Sequence, residues 1–386
     1  MSNTKIYFPG LNGVRFVAVF IVILDHLELF KGYFKINTLW PDSFSSHMGK
    51  FGVTMFFVLS GYLITYLLLA EKKESGTIAI KNFYIRRILR IWPLYFILMI
   101  LGFFILPHFD FFTLPLNQPV ATDFLGKFML FLFFLANVAF VFYPVVAFAG
   151  VLWSVAVEEQ FYLIWPNLIK KFKNVLYTLL VCLLIYLLVK FALIFNVFEG
   201  NSVLINKLVK LMERTRFSSM IIGGLGAFVV FNQKEFLLKY IYSPLTQVLS
   251  YVLLLLLFLN VIQLPYFDLV KNEFSSAIVA IIIVNVSTNK QTLLRLENTF
   301  FDFLGKISYG MYIYHSIVAV ICIKLFTAFI PSSSAFYLPW SLLLILSTLL
   351  LTIFVSYLSY TYIELKILKR KKNYSLIVSG DQAKEK

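Results

Sequence analysis

Two ionisable residues, Arg15 and His26, stand eleven positions apart in the first apolar segment of the sequence. At 100° per residue of α-helix, this separation returns to within about 20° of the same face, and at 1.5 Å per residue it puts the side chains roughly 16 Å apart along the axis. A desolvated histidine stays neutral and can act as a general base, while an arginine on the same stripe can position an anion. The pair therefore predicts proton-transfer chemistry. The alternative is that Arg15 extends to the membrane interface and that His26 is a hydrogen-bonded packing residue.

A second basic cluster opens the third apolar segment, where Arg86, Arg87 and Arg90 lie between the aromatic residues Tyr84 and Trp92. Residues three or four positions apart share a helical face, so Arg90 shares a face with both of its partners. Guanidinium groups bind phosphates through two parallel hydrogen bonds, which a lysine cannot form. The spacing predicts a site for a small molecule with several phosphates. The alternative is ordinary anchoring of a membrane helix by positive charges on its cytoplasmic side.

Five further polar residues fall inside apolar segments. Glu158 and Glu159 are adjacent within residues 150–168, and ionised groups there are costly and face a cavity or a partner. We expect both glutamates to organise the arginine and histidine chemistry by charge pairing. Ser60, Tyr309 and His315 are candidates for the lining of a substrate path. Close helix packing is the alternative for these three residues.

Motifs of several other enzyme classes are absent from the sequence. It has no glycine-rich phosphate loop, no GxSxG nucleophile elbow, no HExxH pair and no paired-cysteine metal motif. The two cysteines, Cys182 and Cys322, both fall inside apolar runs, where cysteine is usually a small packing residue. Serine-hydrolase and zinc chemistry are therefore disfavoured, and we expect no metal cofactor.

The elements that position these residues must be membrane helices. Of the 386 residues, 60% are hydrophobic and only 14% are charged, whereas about a quarter of the residues of a soluble domain are charged. In such a chain the formal net charge of +15 is first a topology signal, and we expect no nucleic-acid partner.

Apolar stretches long enough to cross a bilayer, or nearly so, recur along the chain. They lie at about 13–30, 52–70, 88–106, 124–143, 150–168, 175–197, 217–232, 241–262, 274–288, 307–329 and 338–363. Strict alternation through all of them would place basic loops on the wrong side of the membrane. We therefore predict an all-α polytopic membrane protein with about ten transmembrane helices plus one re-entrant or non-spanning segment at about 150–168.

Lysine and arginine in the loops predict the orientation. Residues 71–87 are rich in both, whereas residues 107–123 contain neither. The first loop is therefore expected in the cytoplasm, with both termini inside and the protein in the inner (plasma) membrane. The basic loop 198–216 would then face outward, contrary to the usual excess of lysine and arginine in cytoplasmic loops. We expect one transmembrane domain at 1–364 and a basic, disordered cytoplasmic tail at 365–386 that is attracted to membrane lipid.

Five motifs in the same order resemble the membrane-bound acyltransferase family 3, whose members are O-acyltransferases. The first is Pro9–Arg15, followed by His26. The others are residues 56–64, 84–93, 153–163 and 304–315. They extend over about residues 5–365, and the arginine motif is weak by itself, but the set as a whole is specific. The resemblance implies a ten-span core, an acyl-CoA co-substrate that is usually acetyl-CoA, and a hydroxyl acceptor on a surface glycan, peptidoglycan, lipid or small molecule.

The resemblance also implies roles for particular residues. Arg15 and His26 match an essential pair of the family, and Arg87 and Arg90 match its arginine pair. Many relatives end in an extracytoplasmic SGNH-type domain that completes the transfer. The sequence after residue 365 shows no such domain. We therefore expect direct transfer to the acceptor or hand-off to a separate extracytoplasmic transferase.

The resulting hypothesis is transfer of an acyl group from cytoplasmic acyl-CoA to a hydroxyl of a cell-surface glycan or its lipid-linked precursor. In this hypothesis the three arginines hold the phosphates, and His26 deprotonates the hydroxyl or itself takes the acyl group. The alternative from another class is a polytopic transporter or flippase of a glycan or lipid intermediate that uses the same buried charges. That class predicts coupling to an ion gradient and no CoA binding.

Overall fold

The computed structural model describes residues 5–115, 123–199, 202–262, 264–329 and 336–379. Within these ranges nearly every segment is helical. The α-helices are α1 Leu11–Tyr33, α2 Asp42–Ser75, α3 Ile80–Ile100, α4 Phe124–Leu132, α5 Ala136–Phe142, α6 Leu152–Lys171, α7 Val175–Glu199, α8 Val203–Thr215, α9 Phe217–Phe231, α10 Glu235–Ile241, α11 Pro244–Phe258, α12 Lys271–Thr288, α13 Thr299–Phe326, α14 Tyr337–Ser359 and α15 Leu365–Lys371.

Short turns and strands complete the described fold. Five-residue π-helical turns follow α3 at Leu101–Ile105 and α14 at Tyr360–Glu364, and 3₁₀ turns occupy Leu106–His108, Asp110–Phe112, Ala149–Val151, Phe267–Leu269, Thr327–Phe329 and Lys372–Tyr374. Two strands, β1 Lys5–Ile6 and β2 Val378–Ser379, pair in parallel. This pairing brings the two ends of the described chain together.

Five helical stretches in the described ranges are long and apolar enough to cross a membrane: His47–Ser75, Ile80–His108, Val175–Asn196, Thr299–Phe326 and Tyr337–Lys371. A sixth arises if Val203–Phe231 and Glu235–Ile241, which meet at 116°, form one broken span. α1 is not among the five, since it carries Arg15, Asp25, Glu28 and Lys31. The expected count of about ten spans is therefore not confirmed. The helical, apolar character of the chain fits a multi-pass membrane protein.

Two of the expected segments differ in detail from the structure. The apolar run at about 124–143 is divided into α4 and α5 by a break in which Phe134 adopts a left-handed conformation with φ 58°. The side-chain amide of Gln160 donates to the carbonyl oxygen of Phe134 at 2.7 Å and so satisfies the interrupted backbone. The run at about 150–168 belongs to α6, which is one continuous helix and does not turn back on itself.

The arginines at the C-terminal end of α8 contact other parts of the protein. The Arg214 guanidinium lies 3.8 Å from the ring centre of Phe140. Arg216 donates from Nη1 to the carbonyl oxygen of Lys50 and to the hydroxyl of Thr54, both at 2.9 Å. Because these cations serve contacts inside the fold, the basic loop at 198–216 is weak evidence about membrane orientation.

The residues that follow α14 belong to the fold through Ser379. α14 continues through the π-helical turn into α15, and β2 then pairs with β1 at the N-terminal end of the described chain. The expected disordered tail thus has regular structure over much of 365–379, whereas residues 380–386 lie outside the described ranges. The domain boundary at residue 364 and the cytoplasmic position of the tail stay predictions.

The centre of the bundle is formed by α1, which packs between α2 and α13, while α2 packs along α9 and α13 packs against α14. Gly61 of α2 and Gly223 of α9 allow the closest of these approaches. A methyl group on Gly61 would overlap the backbone of Met220, and one on Gly223 would overlap the backbone of Val58. Small residues of this kind let membrane helices meet at their backbones.

Replacing Gly61 with alanine is expected to push α2 away from α9 and to lower the free energy of unfolding by about 1–3 kcal/mol, the usual cost of overpacking. The thermal unfolding midpoint of the purified protein in detergent measures this effect. Gly32→Ala is the matched control, because a methyl group at that position would meet no atom of another described segment within 4 Å. Equal midpoints for the two variants would contradict the role given to Gly61.

Candidate active site

A cavity of about 390 Å³ lies between α1, α2, α3, α6, α13 and the residues that follow α14. The end of the cavity nearest the N-terminal half of α2, here named its deep end, is apolar and includes Val53, Phe56 and Phe57. Its charged lining residues are Arg15, Arg87, Arg90, Lys306, Lys369, Lys371, Glu158 and Glu364. The six cationic side chains outnumber the two carboxylates, so the net charge of the lining is positive. The site therefore favours an anionic ligand.

The arginine cluster of α3 contributes two of its members to this cavity. Arg87 and Arg90 both line it, as expected from their shared helical face. The Arg87 guanidinium also lies 5.6 Å from the ring centre of Phe83 and 5.7 Å from that of Tyr162, within the range of cation–π attraction. These rings hold the guanidinium in place beside the cavity.

Arg86 does not line the cavity. Its Nη2 pairs with Oε2 of Glu71 at 3.0 Å, and its Nη1 donates to the carbonyl oxygen of Tyr374 at 2.7 Å. The expected fork of three phosphate-binding arginines therefore separates into two residues at the cavity and one that ties α2, α3 and the C-terminal residues together.

Glu158 faces the cavity from α6 with both carboxylate oxygens hydrogen-bonded. Oε1 accepts from the hydroxyl of Ser60 at 2.9 Å, and Oε2 accepts from the hydroxyl of Tyr162 at 2.8 Å. All three residues line the cavity. Ser60 thus acts as a hydrogen-bond donor in the wall, a role that its sequence position alone did not reveal.

Glu159 belongs to the wall and not to the lining. Its Oε2 accepts from the indole nitrogen of Trp92 at 3.0 Å, and its Oε1 is buried without a hydrogen-bond partner among the described residues. Consecutive helical residues point about 100° apart, which explains why the two neighbouring glutamates have different surroundings.

Arg15 and Tyr309 line the cavity from α1 and α13. Arg15 donates from Nη1 to Oδ1 of Asn12 at 2.8 Å, and the Tyr309 hydroxyl donates to the carbonyl oxygen of Ile91 at 2.7 Å. The structure therefore brings Arg15, Ser60, Arg87, Arg90, Glu158 and Tyr309 to one cavity.

His26 lies just beyond the deep end of this cavity. Along α2 the lining ends at Val53, and Gly49, one helical turn further, packs so closely against Asp25 that a methyl group there would overlap its carboxylate. Four residues of α-helix correspond to about 6 Å, so His26, next to Asp25, is about one turn from the cavity. The Asp25 carboxylate lies 3.7 Å from Nδ1 of His26, which is too long for a hydrogen bond.

His315 is the direct neighbour of His26, with ring centres 4.9 Å apart and the rings edge to face. Nδ1 of His26 lies 3.0 Å from the carbonyl oxygen of Val22, and Nδ1 of His315 lies 2.7 Å from that of Tyr312. A carbonyl oxygen only accepts hydrogen bonds, so these contacts assign a proton to both Nδ1 atoms, and in the neutral form of each ring Nε2 then keeps a lone pair. Nε2 of His315 is buried and has no hydrogen-bond partner in the described ranges.

Tyr312 connects the cavity with the two histidines. It lines the cavity, its hydroxyl lies 2.6 Å from that of Ser154, and its ring centre is 5.7 Å from those of both Phe56 and His315. His315 is thus in direct contact with a side chain of the cavity lining, and His26 lies beside His315.

Sequence reasoning missed four charged residues of the lining: Lys306, Glu364, Lys369 and Lys371. Glu364 ends the last apolar run and could have been noticed as a buried ionisable residue, whereas the lysines resembled an ordinary topology signal. As regards metals, no three His, Cys, Asp or Glu side chains of the described chain are grouped closely enough to hold an ion.

Comparison with known proteins identifies the family. Residues 8–361 match the model of a family described as an acyltransferase domain. The chain is 27% identical to a putative O-acetyltransferase of Staphylococcus aureus over 80% of this chain and 50% of that protein. It is 34% identical to the peptidoglycan O-acetyltransferase OatA of Listeria monocytogenes over 42% of this chain and 24% of that protein.

A putative peptidoglycan O-acetyltransferase of Bacillus subtilis shows the same 34% identity over 42% of this chain and 23% of its own length. The chain thus spans half or less of the length of these relatives. No solved structure matches the chain significantly. Because the family match covers nearly the whole sequence, the chain belongs to the membrane-bound acyltransferase family 3.

Proposed function

We propose that this protein transfers an acetyl or other acyl group from acyl-CoA to a hydroxyl of a cell-envelope glycan or its lipid-linked precursor. The observation that carries the proposal is the cation-rich cavity whose apolar end stops about one helical turn from His26, which lies beside His315. The names of the relatives, which include O-acetyltransferases and a peptidoglycan O-acetyltransferase, support the reaction and the acceptor class.

The donor binds with its phosphates at the cationic side of the cavity and its thioester at the apolar end. Arg87 and Arg90 bind the diphosphate, since guanidinium groups form paired hydrogen bonds with phosphate oxygens. Arg15 enters the same space from α1 and adds a third positive charge. The pantetheine arm then extends along the apolar wall toward Val53.

His26 acts as the general base. Its Nε2 lone pair accepts the proton of the acceptor hydroxyl while the hydroxyl oxygen attacks the thioester carbonyl carbon. The carbon–sulfur bond breaks, the acyl group remains on the acceptor oxygen as an ester, and the CoA thiolate leaves and takes the proton. His315 lies beside the base and keeps it in an enclosed position.

Glu158 and Glu159 position the cationic groups. Glu158 is held by two hydroxyl donors on the cavity wall and attracts Arg87 and Arg90 electrostatically. Glu159 fixes Trp92 of α3, two residues after Arg90. Ser60 and Tyr309 complete the wall along which the donor lies.

The reaction is placed in the inner membrane, with both termini in the cytoplasm and the donor entering from that side. Loop charges support this orientation. The acceptor approaches from the opposite side, either directly or through a separate extracytoplasmic transferase.

Incubating membranes that contain the protein with acetyl-CoA labelled in the acetyl group tests the proposal. We expect label to appear as base-labile ester in the envelope glycan fraction, and the glycan of a deletion strain to lose O-acetyl signals in its NMR spectrum. A transporter would instead show dependence on an ion gradient and no labelled product, and that result would overturn the proposal.

A further inference from the structure

The residues that follow α14 form part of the cavity wall. The π-helical turn at Tyr360–Glu364 carries α14 into α15, and the carboxylate of Glu364 is buried at the cavity. In α15, Leu368, Lys369 and Lys371 line the cavity, whereas Lys366 and Arg370 do not. This short helix therefore contributes two ammonium groups to the lining of the site.

This segment is attached to the rest of the molecule at defined points. Arg86 of α3 donates to the carbonyl oxygen of Tyr374, and Arg86 is itself paired with Glu71 of α2. Beyond that contact, β2 pairs with β1, whose Ile6 also lines the cavity. The segment is thus a built wall of the site, and Arg86 is the residue that positions it.

Positive charges outnumber negative ones in this part of the lining. Lys371 is half-buried and is repelled by Arg15, Arg87 and Arg90, which approach it from α1 and α3. Lys369 is an exposed residue of the lining and marks the mouth of the cavity. Glu158 and Glu364 are the two carboxylates of the lining, and both oxygens of Glu158 already accept hydrogen bonds from hydroxyl groups. An anion between α15 and α3 would relieve this repulsion.

The chemistry of the donor indicates which anion this is. In CoA the diphosphate separates the pantetheine arm from an adenosine that carries a phosphate on its ribose 3′ oxygen. With the thioester at the apolar end and the diphosphate at Arg87 and Arg90, the adenosine end lies toward the mouth. Lysine ammonium groups serve well as point charges for a terminal phosphate.

We propose that Lys369 and Lys371 bind the 3′-phosphate of the CoA donor, so that the C-terminal helix selects CoA over dephospho-CoA. This inference rests on the proposed function, because it assumes that acyl-CoA occupies the cavity. The basic sequence of this segment is typical of a tail at a membrane surface. The inference gives the segment a specific part in recognising the donor.

Equilibrium binding of CoA and of dephospho-CoA to the purified full-length protein tests the inference. The wild-type protein is expected to bind CoA at least tenfold more tightly. In the Lys369→Gln, Lys371→Gln double variant this preference should fall to about twofold or less through loss of CoA affinity, with dephospho-CoA affinity unchanged. The Lys369→Arg, Lys371→Arg variant, which keeps both charges, should retain most of the preference.

Lys366→Gln with Arg370→Gln is the matched control, since it removes the same charge from the same helix away from the cavity. It should keep the full preference for CoA. The inference is overturned if the wild-type protein does not distinguish the two ligands, or if both double glutamine variants weaken both ligands equally. A wild-type protein that prefers CoA but transfers no acyl group would refute the proposed function and leave this site standing.

Discussion

A His26→Ala variant that folds and inserts will lose acyl transfer by a factor of about 10²–10⁴, the range over which a positioned general base accelerates a reaction. The loss should appear in kcat, because the groups that hold the donor lie in the cavity and His26 lies beyond its end. The KM for acetyl-CoA should change little. Initial rates of labelled acetyl transfer at several donor concentrations separate the two constants.

His108→Ala is the matched control for this variant, because His108 is exposed and lies outside the cavity lining. It should transfer acetyl at the wild-type rate. Undiminished transfer by His26→Ala would remove the central step of the proposed mechanism. Label bound to the wild-type protein without acceptor, and absent from the variant, would instead identify His26 as an acyl carrier.

The stripe that joins Arg15 and His26 could be predicted from the sequence because helical periodicity is local. The structure places both residues on α1, with Arg15 in the cavity lining and His26 outside it, and the roles of the two residues stay predictions. The family could also be predicted, since its motifs are short and continuous in sequence, and the match over residues 8–361 confirms it.

Contacts between distant parts of the chain could not be predicted in this way. His26 and His315 are 289 positions apart, and nothing in either sequence window indicates that their rings meet. Arg86 lies outside the cavity that Arg87 and Arg90 line, because it pairs with Glu71 and donates to the backbone of Tyr374. Both partners are outside the arginine motif. Periodicity specifies which residues share a face, but the partner of each face is set by tertiary packing.

The number of membrane spans shows a further limit of hydropathy. An apolar run gives the same signal whether it forms one helix or two, so the break at Phe134 was invisible in the sequence. Charged residues cause the opposite error, in which a helix is left out of the count of spans. The ionisable groups of α1 that suggested a function also keep it from meeting the criteria for a spanning helix. A helix that carries candidate functional charges, such as α1, is therefore easily missed by a hydropathy count.

Replacing Arg87 and Arg90 together with glutamine will raise the KM for acetyl-CoA by about 10²-fold or more. Each charge-assisted hydrogen bond contributes about 1.5–3 kcal/mol, and each 1.4 kcal/mol corresponds to about tenfold in affinity. The value of kcat at saturating donor should fall much less, because His26 is unchanged.

Lys81→Gln is the control, since it removes a charge from the exposed first turn of the same helix, away from the cavity. Equal KM values for the double variant and the control would show that the arginines anchor the helix and do not bind the donor. A higher KM in the double variant alone would show that Arg87 and Arg90 recognise phosphate, beyond the positive charge that membrane helices commonly carry at their cytoplasmic ends.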